Sequence, residues 1–501
     1  MLDEKKSPAP LLEGDAVASA EAILAKLDAS SVSGFHVKAL FTSGMGFFTD
    51  AYDLFIIGVA LAVLTPIWHL TPLEISLLGS TSLIAAALGS LVFGRLADHL
   101  GRRSIYGYTL IVLAFGAIAS ALAPSVIFLL IFRFILGLGI GGDYPLSATL
   151  MSEYANRRDR GKLITFVFSM QGVGLVLGPL VAILLLISGL NHDLVWRIML
   201  GLGAVPALAT FYLRRQIAET PRFALAMQGD IDGASRTIDM VTTKQKQNGN
   251  SSNGAKPRSA AALNGNGATA VAPRKKSSLN LLLTPRYLRW LIGAAGAWFL
   301  LDIAYYGTTI SSPLVLKSLN PHSNLVTNMV YTLIIFVVAA LPGYIIAAFT
   351  IDRLGRKWIQ VMGFAMMALA YASLALFPAL TTITLTFLLI YGVSYFFTEF
   401  GPNVTTFVYP AEIFPVMVRS SAHGMAAALG KVGAFIGAFA FPYLLSTFHL
   451  PGAMAVAAVV SLVGLFLTIF TLPEPNQRSL EEISGEHEAV PTSSERVPAA
   501  L

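Results

Sequence analysis

A few ionisable side chains stand deep inside apolar stretches of this sequence, where they are expensive to keep. Asp143 lies in "GLGIGGDYPLSATLMSE" (137–153), after four glycines in six positions. An Asp at the centre of a membrane helix costs about 2.5–3.5 kcal/mol on insertion scales, so such residues are retained for function. Asp50 and Asp53, in "GFFTDAYDLF", are three positions apart and share a helix face. Arg133, Asp302, Glu399 and Lys431 have similar surroundings. A single charge of this kind often ends in an ion pair that only fixes packing. Several, drawn from distant parts of the chain, point to a ligand or proton path.

The neighbours sharpen that chemistry. In "AWFLLDIAYYG", Trp298, Asp302 and Tyr306 stand at i, i+4 and i+8, so an indole, a carboxyl and a phenol share one face. In "TEFGPNVTTF", Pro402 removes a backbone donor and breaks the helix beside Asn403. Freed carbonyls inside a membrane are tolerated where they meet a cavity or a neighbour. Lys431 sits among small residues in "AALGKVGAFIGA", where another helix can approach closely, and it needs an anionic partner. Gln171, in "FSMQGVGLVLGP", offers two donors in a like setting.

Composition says what must position these groups. Of 501 residues, 55% are hydrophobic and only 12% charged, against about 25% in soluble domains; the chain is an all-α polytopic membrane protein. With no cysteine, disulfides, thiolate metal sites and cysteine nucleophiles are excluded. The net charge of +6 is spread over short loops, a topology signal rather than a nucleic-acid surface. Residues 1–34 are polar and mixed in charge, which predicts no cleaved signal peptide.

A bilayer-crossing helix needs about 20 apolar residues. Spans one to six are expected near 37–64, 75–97, 104–122, 125–151, 161–188 and 194–213. Spans seven to twelve are expected near 288–315, 325–350, 358–377, 381–408, 420–446 and 451–472. The chain thus divides into a cytoplasmic N-terminal segment (1–34), a six-helix half (35–213), a central loop (214–287), a second six-helix half (288–472) and a tail (473–501). Residues 240–278 are low in complexity and predict a disordered linker. The basic loops "DHLGRRS" (98–104), "NRRDRGK" (156–162), "DRLGRK" (352–357) and the "MVR" before Ser420 fall on one side. Loops near 65–74, 123–125, 188–193, 378–382 and 447–451 contain no Lys or Arg. Both termini are therefore expected in the cytoplasm.

The halves repeat each other. "RLADHLGRR" (95–103) follows span two and "TIDRLGRK" (350–357) follows span eight. Glu153 stands seven residues before Arg160, and Glu412 seven before Arg419. Two matching six-helix halves imply a pseudo-two-fold axis along the membrane normal and a substrate site between them near the midplane. This layout resembles the major facilitator superfamily, whose Asp-x-x-Gly-Arg-Arg/Lys loops are its best-known mark, over residues 37–472. The Gly permits a tight turn, and Asp and Arg can pair or cap helix ends. Asp98, Arg102, Arg103, Glu153, Arg160, Asp352, Arg356, Lys357, Glu412 and Arg419 are expected to serve gating and topology, not substrate contact.

A monoanion such as dihydrogen phosphate offers both acceptors and donors. It would accept from Lys431, Gln171, Asn403, Tyr144, Tyr306 and the Trp298 indole, and donate to Asp302. Two like charges brought together would favour protonating the carboxyl, coupling anion to proton. Composition does not choose phosphate over a sugar or an organic acid. The segments 141–163, 44–55, 298–306, "FGPNVTTFVYPAEIFP" (400–415) and "GKVGAFIGAF" (430–439) resemble the phosphate:proton symporter family, which includes plant and fungal high-affinity phosphate transporters. The resemblance implies substrate contact by Tyr144, Gln171, Trp298, Asp302, Tyr306 and Asn403, a transport role for Lys431, and proton movement through Asp50 and Asp143. Asp53, on the same face as Asp50, joins that proton-coupling group.

This chain departs from that pattern in reading "GTT" after the span-seven tyrosines, and in placing Glu399 where an Asn is common. The reading is a proton-coupled importer of inorganic phosphate in the plasma membrane, working as a monomer without cofactor, metal or nucleic acid. The alternatives are symport of a sugar or organic acid on the same scaffold, and a phosphate sensor or receptor. No nucleophile–base motif, P-loop or zinc cluster supports an enzyme.

Overall fold

The computed structural model describes residues 13–215, 217–242, 279–319 and 322–485, and these contain no β-strand. Spans one to five are Gly34–Trp68, Pro72–Leu100, Arg102–Ala121, Val126–Tyr154 and Arg160–Ile187. Spans six to nine are His192–Arg215, Pro285–Ile310, Leu325–Leu354 and Arg356–Leu376. The helix Arg419–Thr471 has 53 residues, far more than one crossing of an apolar core about 30 Å thick requires. It turns back at His449 (φ 58°, ψ −175°), ahead of Pro451, and so supplies spans eleven and twelve. Span ten is broken, as Pro402 predicts: Thr384–Thr398 runs into a π-helical turn, Glu399–Asn403, and resumes as Val404–Ile413. Gly401 takes φ −103°, ψ −113° inside that turn. The twelve expected spans are all present.

Beyond shifts of a few residues at most span ends, three regions add to the sequence reading. Span six runs on through Arg214 and Arg215, past the expected end at 213, because Arg214 finds buried partners inside the bundle. Span seven stops at Ile310, and a separate helix, Ser312–Leu319, follows. The central loop begins as ordered structure, Pro221–Phe223, Ala224–Gln228 and Ile231–Thr242. Most of the expected linker, from 243 to 278, lies outside the described residues.

The polar ends also fold against the bundle. A helix at Glu13–Asp28 packs Leu27 into a buried cluster with Tyr154, Ile217, Ile238 and Val241. Arg157 ties the N-terminal helix and the described part of the tail together: its N–H donates to Asp28 O (3.3 Å) and its Nε to Gln477 O (2.6 Å). The two described ends therefore lie on one face, that of the basic loops. Arg222, from the central loop, pairs with Asp28 (2.6 Å) and with Glu481 of the tail. Burial opposes charge on Glu481, but Arg222 overrides it and holds the carboxyl down at about 2. A depressed carboxyl stabilises above its ordinary range and loses that contribution only as pH falls through the lowered value.

On the same face, paired motifs lock the halves together by exchange. Asp98 accepts from the N–H groups of Ser420 (3.2 Å) and Ser421 (2.6 Å), capping the start of span eleven. Asp352 accepts from Gly161 (3.1 Å) and Lys162 (2.7 Å), capping the start of span five. Carboxylates at helix N-termini meet both free N–H groups and the positive end of the dipole. Glu153 joins Arg102 of its own half (3.1 Å) to Arg419 of the other (3.2 Å). Glu412 likewise joins Arg356 (2.7 Å) to Arg160 (3.1 Å). Gly101 (φ 92°) and Gly355 (φ 89°) make the turns that aim these arginines, a conformation that favours glycine.

Arg103 and Lys357 stand outside the lock. The Arg103 side chain is exposed, and Lys357 Nζ donates to Ile469 O and Leu472 O (both 2.9 Å). Their backbone N–H groups are instead capped by Glu219 and Glu474, a second matched pair.

Removing one member of a buried ion pair costs about 3–5 kcal/mol, so Glu412→Gln is expected to favour a state open on this face. Thr149 is buried in the join, its hydroxyl 3.1 Å from that of Ser420, and the sequence has no cysteine to confuse labelling. A single Thr149→Cys should react with a water-soluble maleimide about tenfold faster or more when combined with Glu412→Gln. Equal rates would show that the lock does not hold this face closed.

Candidate functional site

Lys431 of span eleven is the centre of the space between the halves. Its Nζ donates to the Tyr144 hydroxyl of span four (2.8 Å) and to the Tyr306 hydroxyl of span seven. Asp50 Oδ2 of span one lies 4.0 Å from Nζ and accepts the Tyr144 O–H at 2.5 Å. The anionic partner that the sequence reading required for Lys431 is Asp50, and Asp302 makes no ion pair with it. None of Tyr144, Gln171, Trp298, Asp302, Tyr306, Asn403 and Lys431 exposes more than 3% of its surface. The centre is shut off from water on both sides.

Asp302 departs from the rule that buried polar groups are paired. It is 1% exposed, and neither carboxylate oxygen has a hydrogen-bond partner. The charges acting on it are Lys431, Asp50 and Glu399. Trp298, one turn before it, faces the Tyr144 ring at 5.8 Å and His423 at 5.6 Å. The three residues expected on one face of span seven thus do line the centre.

The break in span ten turns Asn403 inward. Its Nδ2 donates to Tyr344 OH (2.7 Å), reaches Gln171 Oε1 (3.4 Å) and donates to Glu399 Oε2. The Tyr344 O–H donates to Gln171 Oε1 at 2.8 Å, and Gln171 Nε2 lies 3.4 Å from Tyr144 OH and 3.5 Å from Asp50 Oδ2. One polar chain therefore runs from Glu399 in the second half to Asp50 in the first. Tyr344 was not singled out from sequence: a lone Tyr in an apolar span reads as core, and only the fold sets its hydroxyl against Gln171.

Asp50 and Asp53 part company. Asp53 leaves the centre and pairs with Arg133 at 2.6 Å, and Arg133 Nη2 also donates to Ser82 (3.0 Å). Asp143 likewise does not touch the Lys431 cluster. It holds Arg214 through both oxygens, one at 2.9 Å. Arg214 in turn donates to Thr42 O (3.2 Å) and stacks over Tyr106 at 4.0 Å. Arg214 was missed because span six was ended two residues too early, although an Arg at the edge of an apolar span was a visible signal. In "GLGIGG", a Cβ on Gly141 would lie 1.9 Å from Ala86 O, and one on Gly137 2.2 Å from Ser82 O. The glycines let span four lie against span two, which sets Asp143 and Tyr144 at adjoining depths.

What the arrangement offers is one ammonium, three phenols, two amides and three carboxylates in a buried centre. It can take a small polar ligand that both accepts and donates hydrogen bonds. Gly46 guards the arginine pair beside it: a Cβ there would fall 1.8 Å from Asp143 Oδ2 and 2.7 Å from Arg214 Nη2. Gly46→Ala is expected to part that pair and lower the thermal midpoint in detergent by several degrees, as a buried ion-pair loss does. Gly392→Ala, whose Cβ meets only Ala339 at 3.8 Å, is the control. Equal midpoints would show that the pair carries no such weight.

Comparison with known proteins agrees with this architecture. A family profile described as "Sugar (and other) transporter" matches residues 39–486. The chain is 38% identical to the probable inorganic phosphate transporter 1-6 of Arabidopsis thaliana, over 93% of this chain and 96% of that protein. It is 36% identical to the low affinity inorganic phosphate transporter 4 of Medicago truncatula, over 95% of this chain and 97% of that one. Among solved structures, the major facilitator superfamily proton:xylose symporter XylE, bound to 6-bromo-6-deoxy-D-glucose, superposes with a TM-score of 0.75. It is 20% identical and is matched over 91% of this chain and 100% of its own. This chain belongs to the sugar (and other) transporter family within the major facilitator superfamily, a family of transporters and not of enzymes.

Proposed function

We propose that this protein imports inorganic phosphate with protons, by alternating access, across the plasma membrane. Its termini are cytoplasmic, as the side carrying the basic loops indicates, and one chain is the working unit. The relatives' names support phosphate. The observation that carries the proton is the charge balance of the centre: among the described residues, Lys431 is the cation that acts on Asp50 and Asp302, and Glu399 beside them has none. An anion added to three ionised carboxylates and one ammonium would meet net repulsion in a low-dielectric site, where such terms are large. Protons must come with it.

In this reading dihydrogen phosphate displaces Lys431 from the phenols. Its oxygens accept from Lys431, Tyr144, Tyr306, Gln171, Asn403 and the Trp298 indole. Its own hydroxyl donates to Asp302, whose bare oxygens are waiting acceptors. Asp50 takes up a proton as Lys431 turns to the substrate. Asp53 and Asp143 act in the steps when Arg133 and Arg214 let go, since here both are paired. Substrate release toward the cytoplasm follows opening of the Asp98–Ser420 and Asp352–Gly161 junctions. A neutral sugar would form no ion pair with Lys431, which ranks it below phosphate.

Labelled phosphate uptake into liposomes, acid outside, is the direct check. Uptake should exceed that of empty vesicles and collapse with the pH gradient; uptake indifferent to the gradient would overturn proton coupling. Asp302→Asn and Lys431→Ala should each cut uptake at least about tenfold, since each removes a charge-assisted bond worth about 1.5–3 kcal/mol. Wild-type rates in either would remove that residue from the substrate contacts.

A further inference from the structure

Glu399 is the charged group of the centre to which the mechanism above gives no task. It is 0% exposed and sits in the π-helical break of span ten. Oε2 accepts from Asn403 Nδ2. Oε1 accepts no hydrogen bond. The Tyr305 and Tyr344 hydroxyls lie near enough to act on the carboxyl, yet neither completes a bond to Oε1. The other titratable groups facing it are Asp302 and Tyr306 of span seven and Tyr371 of span nine. No Lys, Arg or His pairs with it among the described residues, whereas Asp53, Asp143, Glu153 and Glu412 each hold an arginine. A bare buried carboxylate costs far more than one amide bond returns, and binding a proton is the cheaper way to keep it there.

We propose that Glu399 is a proton-binding site in the second half of the carrier, and that its proton frees Asn403 to bind the substrate anion. The two N–H groups of Asn403 are divided among Glu399 Oε2, Tyr344 OH and Gln171 Oε1. While Glu399 is ionised it is the strongest of those acceptors, because hydrogen bonds to a charged group are about twice as strong as neutral ones. The proton adds to Oε1, whose lone pairs no other group uses, and forms an O–H bond there. Oε2 then becomes an ordinary acceptor, and the amide of Asn403 can turn to an anionic oxygen. The negative charge that would repel that oxygen is removed in the same step. Proton and anion therefore favour each other's binding, and by linkage equally in both directions. The proton arrives from outer water and leaves from the same oxygen when the inner face opens.

The identity of the anion rests on the phosphate reading; the proton site does not. Infrared difference spectra of the ligand-free carrier, titrated across pH, should show the C=O band of a protonated carboxyl that is missing in Glu399→Gln. The acid-side rise of phosphate exchange should also flatten in Glu399→Gln, and Glu399→Asp should restore both signals. A band that persists in Glu399→Gln, or an unchanged pH profile of exchange, overturns the proposal. If the wild type exchanges no phosphate but the band still disappears, the phosphate reading falls and the proton site stands. If Glu399→Gln does not fold, the band is followed in Asn403→Ala: it must shift in frequency with the loss of its amide partner, and an unmoved band counts against the proposal.

Discussion

Everything at the midplane depends on one ammonium being outnumbered. Lys431 meets two phenols directly and one carboxylate at 4.0 Å, while Asp302 and Glu399 have no cation of their own. In a buried centre this imbalance cannot be left as bare charge. It is answered by protons, which an incoming anion then needs, and that linkage is what a symporter uses. The same imbalance explains why the polar chain from Asp50 through Gln171, Tyr344 and Asn403 to Glu399 is built of amides and phenols. Such groups donate and accept without adding charge.

The lock on the loop-bearing face is the other half of the device. Each half caps a helix of its partner with an Asp and shares its Glu between an arginine of each half. Because the junctions are buried and matched, they give way together, which suits two states rather than a continuum. The ties of Arg222 to Asp28 and Glu481 draw the N-terminal helix, central loop and tail onto that same face. Opening this face must therefore rearrange the polar segments as well as the spans.

Much of this was legible in the sequence, for physical reasons. Long apolar stretches mark the spans, and a repeated Asp-x-x-Gly-Arg turn survives in both halves because the same caps are needed twice. Pro402 marked the break in span ten, and the inward face of Trp298, Asp302 and Tyr306 followed from helical spacing. Partners across helices were not legible. Nothing in spacing says that Asp53 meets Arg133, that Asp143 meets Arg214, or that Lys431 turns to Asp50 before Asp302. The helix at Glu13–Asp28 was hidden because its apolar stripe is short and its support comes from the central loop. Glu219 and Glu474 were hidden because they act through backbone N–H groups, which carry no residue signature.

The central claim is that an anion enters this centre only with protons. Calorimetric titration of the purified carrier with inorganic phosphate, repeated in buffers of different ionisation enthalpy, measures the protons taken up on binding without any transport step. The account expects net proton uptake from the buffer with each phosphate bound, beyond what phosphate's own titration supplies. Binding heats that are the same in every buffer once that contribution is removed would contradict it.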